Sequence, residues 1–288
     1  MSDLTPAASH GAAIGLDHVG IVGADLDALA RAFSGLGFHL TPYAAHASGR
    51  TANRCAMLRD GGYLELMATV PGQSSATLDR FLARGAGAHV LALEVADEAA
   101  ARDRLRRAGI ASEVSTTGRD ADQHGAKARF AVVMPSDLPE GRVLLIRHLT
   151  RDLLWRPDTV DHPNRAVALT EAVYASDAPA ETMTRLCRLA GRPAEPDPLG
   201  GYRIPLARGC VRILPRAAAA ALFPGAAGVP PLVGLTLAAE LPNGITGGIT
   251  HAPTGQTTTG QATIGHATAS GRAIHVGGVA IRFTAASG

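Results

Sequence analysis

The chain has 288 residues, enough for one large domain or two ordinary ones, each with its own core. A hydrophobic fraction of 46%, a charged fraction of 18% and a net charge of +2 exclude a disordered chain and give no reason to expect nucleic acid or an anionic membrane as partner. No apolar run reaches the roughly 18 residues of a membrane span, "MSDLTPAASHGAA" has no signal-peptide pattern, and Cys55, Cys187 and Cys210 are scattered, so a reducing, cytoplasmic setting is expected.

In chain order, "IGLDHVGIVG" has the branched apolar content of a strand. Asp25 then stands at a helix N-cap, Leu26, Leu29, Ala30, Phe33 and Leu36 follow at helical spacing, and Gly37 is placed to end the helix. Two strand-like pieces come next, "TANRCAMLRDG" and "GYLELMATV". The same grammar returns in "AHVLALEVADEAAARDRLRRAGI", where Asp97 caps and Gly109 stops the helix. Both cap-to-stop distances are 12 residues, and the second set follows the first by 72. The strands "KARFAVVMP" and "GRVLLIRHLT" complete this unit.

A third copy lies in "ALTEAVYASDAPAETMTRLCRLAGRP", with Met183, Leu186 and Leu189 as the buried stripe and Gly191 as the stop, followed by "GGYRIPLARG" and "CVRILP". A fourth begins at "PPLVGLTLAAELP" and resumes with "GQATIGHATAS" and "GGVAIRFTA". Its helix is replaced by the Gly/Thr-rich "NGITGGITHAPTGQTTTGQ", which reads as an extended loop or irregular strands. The expected class is therefore α+β: a unit of strand, helix and about three strands, used about four times. Two units per domain give residues 1–158 and 159–288, with the boundary in the polar "WRPDTVDHPNRA".

Three motifs, "LDHVGIVGADLDA", "TANRCAMLRDGGYLELMA" and "HLTRDLLWRPDTVDHPNRA", make the chain resemble the vicinal oxygen chelate superfamily, in particular its glyoxalase-like domain group. The resemblance implies βαβββ modules paired into half-open β-barrels. It also implies a divalent metal (iron, zinc, manganese or nickel) held by one residue on the first and one on the last strand of each module. Lyase, isomerase and dioxygenase chemistries occur on this fold, as does metal-free sequestration of a drug, so the fold is implied more narrowly than the reaction.

On this chain the implied metal ligands of the first module are His18 and Glu65, the latter also a candidate catalytic base. In the second module His89 and His148 complete the candidate set, each displaced by one residue: the 72-residue offset carries His18 to Val90, and "YLELM" laid on "LIRHL" sets Arg147 against Glu65. A β-bulge in each strand would restore them. The alternatives are a pocket histidine without metal for His18 and a salt bridge from Arg54 or Arg147 for Glu65. In the third and fourth modules Arg212 and Arg282 fall near the carboxylate position, which leaves no ligand set.

His46, Asn53 and Arg54 are candidate ligand-binding residues on the barrel wall; Trp155 reads as junction packing, and His162 and Asn164 as part of a turn. Cys55 reads as core. Neither GxxxxGK[ST] nor GxSxG occurs. The expected partner is a small oxygen-rich molecule, bound for metal-assisted chemistry or, alternatively, simply sequestered. Modules pair either within one chain or across a homodimer.

Overall fold

A computed structural model describes residues 10–120, 125–226, 230–240 and 273–286. The stretches "NGITGGITHAPTGQTTTGQ" and "GQATIGHATAS" lie outside the described residues. The first module consists of β1 (Gly15–Val22), α1 (Leu26–Gly35), β2 (Ala44–Ala45), β3 (Thr51–Met57) and β4 (Tyr63–Thr69). After a connecting helix, α2 (Ala76–Leu82), come β5 (Gly87–Glu94), α3 (Glu98–Arg107), β6 (Ser112–Asp120), β7 (Lys127–Pro135) and β8 (Arg142–His148). A 3₁₀ turn, Arg151–Leu153, and a short α4 (Pro157–Val160) lead to the third module: β9 (Ala166–Ser176), α5 (Pro179–Ala190), β10 (Glu195–Pro196), β11 (Tyr202–Pro205) and β12 (Cys210–Pro215). Then follow α6 (Arg216–Leu222), β13 (Leu232–Ala239), β14 (Ile274–Val276) and β15 (Val279–Ala285).

The helices begin and end where side-chain chemistry dictates. Asp25 Oδ1 accepts from the backbone N–H groups of Asp27 and Ala28, and Asp97 from that of Ala100, capping α1 and α3. Gly37, Gly109 and Gly191 follow with φ of +81°, +72° and +68°, a region that favours glycine. The buried stripes are Leu26, Leu29 and Phe33 on α1, Ala101 and Leu105 on α3, and Thr182, Leu186, Leu189 and Ala190 on α5. Met183 packs against that core from a partly buried position.

In each of the first two modules the first and last strands pair parallel, β1 with β4 and β5 with β8, and the modules join through an antiparallel β1–β5 ladder. The third and fourth repeat this through β9–β12, β13–β15 and β9–β13. Both joins are made within one chain. All fifteen strands among the described residues belong to one open sheet, in which β13 touches β5 at Leu232↔Ala88. β1 and β13 are buried along their whole length and β5 nearly so, because both of their faces are covered; this is why they read as unbroken apolar runs.

The order of elements divides between β8 and β9, whereas the packing does not. One core takes in Leu16 and Phe33 of the first module, Leu91 and Leu105 of the second, Tyr174 and Leu186 of the third, and Leu235 and Ile281 of the fourth. Arg104 on α3 also spans the halves: Nε donates to the Gly11 carbonyl at 3.1 Å, Nη1 to the Arg188 carbonyl at 2.8 Å and Nη2 to the Leu189 carbonyl. The last two are free carbonyls at the end of α5, where a cation is favoured. Replacing Arg104 with methionine keeps the stem and removes the donors, with an expected cost of about 2–3 kcal/mol. The urea midpoint measures it, and a shift within error would show the contact to be idle.

Candidate functional site

The first two modules curve around a cavity of about 310 Å³. Its polar floor is His18, His46, Asn53, Tyr63, Glu65 and Arg119, facing a wall of Met67, Leu78, Phe81, Val90, Phe130 and Leu144 among others. The cavity is nearly ringed by strands: β2 and β6, the outermost strands of the two modules, meet at an antiparallel His46↔Arg119 bridge.

Strand irregularities position the floor. In the β1–β5 ladder Leu16 faces Leu93 and His18 faces Ala92, so Asp17 is skipped; Gly20 faces Val90 and Ile21 faces Ala88, so His89 is skipped. The β9–β13 ladder skips Thr170 and Val233 in the same way. Each module's first strand thus bulges at an equivalent station, and the bulge lets neighbours Asp17 and His18 reach each other instead of pointing apart. His18 Nδ1–H donates to Asp17 Oδ1 at 2.7 Å, and His148 Nε2–H donates to Asp17 Oδ2 at 3.1 Å. Asp17 is fully buried and the His148 side chain almost so.

With its Nδ1 committed to Asp17, His18 turns Nε2 toward Glu65 Oε2, 3.4 Å away, while its ring stacks on Tyr63 at 4.4 Å. Asn53 Nδ2 donates to Glu65 Oε1 at 2.5 Å. His46 Nε2 lies 3.4 Å from the same oxygen, and its Nδ1 is 2.8 Å from Thr51 Oγ1. Burial opposes the charge on Glu65, but the hydrogen bond to His46 and the charges of His18, His46 and Arg119 outweigh it and bring the pKa down to about 2. Asp17 behaves alike: burial opposes ionisation, and His148 and His18 overcome it and hold the carboxyl well below its usual range.

The ladders also identify equivalent positions in all four modules. Glu65 faces Gly20; 72 residues on, Ala92 faces Leu144. Leu144, not Arg147, therefore stands where Glu65 does, and Val90 stands where His18 does. Two apolar residues occupy the second half of the implied ligand set, and among the described residues no three His, Cys, Asp or Glu side chains converge in metal-binding geometry. The residues present do not fit a four-ligand metal centre.

His18, Glu65, His46 and Asn53 are brought together. His89, on the bulge, stacks on Phe81 with ring centroids 4.9 Å apart and lies 2.7 Å from the Gly85 carbonyl, which removes it from the set. His148 reaches the site through Asp17, packed edge-on against Trp155 and Phe130. Arg54 is corrected: neighbours on a strand face opposite ways, so it lies toward α1, 3.8 Å from Asp27, and Arg147 pairs with Glu98 at 2.9 Å. His162 and Asn164 pin the linker to the first module through the Met57 and Leu36 carbonyls. Asp17 and Arg119 went unread in the sequence.

The second pair of modules carries different chemistry at these positions. Glu171 takes the place of His18; Arg212, facing Val173, and Arg282, facing Thr236, take the carboxylate places. Arg212 is held by Asp197 through two 2.8 Å bonds and by Glu171 at 3.3 Å, and Thr236 Oγ1 donates to Glu171 at 2.6 Å. Phe223 lies over Gly234, where a Cβ would sit 2.5 Å from its ring, while Glu171, Arg212, Thr236 and Arg282 line an open depression of about 750 Å³.

A family model described as a glyoxalase-like domain matches residues 16–190. A hypothetical protein from Staphylococcus aureus is similar over 95% of this chain and 100% of its own, with a TM-score of 0.65 at 12% identity, a likeness of fold alone. Methylmalonyl-CoA epimerase from Mycobacterium tuberculosis is 27% identical over 47% of this chain and 89% of its own, with a TM-score of 0.36. A variant of the Streptomyces coelicolor methylmalonyl-CoA epimerase, in complex with 2-nitronate-propionyl-CoA, is 20% identical over 46% and 96%, with a TM-score of 0.35. No curated protein matches the chain.

Proposed function

Because the chain belongs to the glyoxalase-like domain family of the vicinal oxygen chelate superfamily, we propose that residues 1–158 bind a small oxygen-bearing molecule with an apolar body and move a proton on it. The observation that carries this reading is the Asp17–His18–Glu65 line of side chains, which ends in a cavity with an apolar wall opposite its polar floor. Asp17 fixes the tautomer of His18, so that Nε2 is the nitrogen able to take a proton from bound ligand. A carboxyl with a pKa near 2 is a weak base, so Glu65 serves to accept a ligand hydroxyl and, 3.4 Å from His18 Nε2, to stabilise the imidazolium that His18 becomes on taking the proton. The proton acceptor is thereby His18 rather than Glu65. Chemistry of this kind is isomerase- or lyase-like and is expected in the cytoplasm. No helix among the described residues is long and apolar enough to cross a membrane.

The test uses 2-hydroxyacetophenone in D₂O, with exchange of its α-protons followed by NMR. His18→Gln is expected to slow exchange by about 10²-fold or more with binding changed only slightly. Binding without exchange in the parent protein favours the second reading, sequestration in the same cavity. Elemental analysis of protein purified without chelators belongs beside it: about one transition metal per chain, lost in His18→Ala, would return the metal-assisted reading.

A further inference from the structure

Among the charged residues that line the cavity, Arg142 is answered by Asp137, with bonds of 2.8 and 3.2 Å, and Glu65 by Asn53 and two histidines. Arg119 is different. It is 5% exposed, and among the described residues its side chain meets Cys55 Sγ at 3.4 Å and no carboxylate within ion-pair distance. Burial pushes the Cys55 thiol up to about 12, so that partner is neutral. Glu65 acts on this guanidinium only across a longer distance, and a buried guanidinium with no carboxylate in contact is costly unless something else supplies the charge at its donors.

From this we infer that the ligand of the cavity carries an anionic group, a carboxylate, which docks on Arg119 while the rest of the molecule lies between Glu65 and the apolar wall. The inference rests on the proposed small-molecule pocket and narrows its ligand to small organic acids. A guanidinium offers paired N–H donors that match the two oxygens of a carboxylate, which a neutral carbonyl does not. A second observation agrees. Arg119, with His46, Thr117 and Gly118, also lines a neighbouring depression of about 630 Å³ that adds Lys127 and Arg129, so cationic side chains line the approach from outside.

Mandelate and its neutral isostere mandelamide separate this from the broader reading, since both bring a hydroxyl and an aromatic body. By calorimetry the parent protein is expected to bind mandelate at least about tenfold tighter than mandelamide, Arg119→Met to lose that preference, and Arg119→Lys to keep part of it. Ligand-free Arg119→Met is expected to melt within about 2 °C of the parent, because the residue loses no contacting carboxylate, only its longer-range attraction to Glu65. Equal binding of the two compounds by the parent, or an unchanged mandelate affinity in Arg119→Met, overturns the inference. So does a ligand-free Arg119→Met that melts several degrees lower, which would make the arginine a strut between β2 and β6. If 2-hydroxyacetophenone exchange persists in that case, the pocket reading survives; if neither exchange nor binding of any of the three compounds is seen, both fail.

Discussion

Asp17→Ala is expected to lower the melting temperature by roughly 10 °C or more, the counterpart of about 3–5 kcal/mol. The size follows from what is left behind. The carboxylate accepts from His18 Nδ1 and His148 Nε2 inside the protein, and alanine leaves both donors unanswered where water does not reach them. Asp17→Asn should fall between, because its carbonyl oxygen satisfies one ring while its own N–H₂ meets the donor of the other. The pH dependence has a definite sign. Asp17 sits below its ordinary 3.8, and Glu65 falls from 4.5 to about 2. The folded chain therefore binds fewer protons than the unfolded one in acid, and the stability both groups contribute above those ordinary values is lost as the pH falls through them toward 2. The urea midpoint of the parent should drop between pH 5 and 2.5, more steeply than that of Asp17→Ala. A variant melting within about 2 °C of the parent would show that the buried line of side chains holds nothing together.

What was legible in the sequence was whatever local chemistry announces. Asp25 and Asp97 cap helices through their own side chains, and Gly37, Gly109 and Gly191 stop them, so the repeat and the α+β class could be read from short windows. His18 and Glu65 were legible because their strands were, and Arg212 and Arg282 fell at the expected positions for the same reason. Asp17 was hidden by the bulge: strict alternation turns it away from His18, and only the skipped ladder position brings both to one place. The same device misled in the second module, where His89 occupies the bulge without joining the site. Arg119 lies on "SEVSTTGRD", a strand with no apolar periodicity, and its neighbour His46 is brought to it only when β2 meets β6. Contacts between the outermost strands of separate modules leave no trace in spacing along the chain.

A stronger test of the module relation comes from Val90→His combined with Leu144→Glu. The ladders place these residues where His18 and Glu65 stand in the first module, and all four line one cavity. The double variant would present two imidazoles and two carboxylates, a donor set suited to zinc or cobalt. Without metal it is expected to be less stable than the parent, since it brings a second carboxylate close to Glu65 in an apolar-walled space. With Co²⁺ or Zn²⁺ in about 1,000-fold excess over the dissociation constant, stability should rise by about 4 kcal/mol, enough to reverse that loss. The single variants supply only three donors each and should gain less. Absorption of bound Co²⁺ and the metal dependence of the melting temperature read the outcome directly. If the double variant responds to metal no more than the parent does, Val90 and Leu144 are not the partners of His18 and Glu65, and the pseudo-twofold relation drawn between the first two modules is wrong.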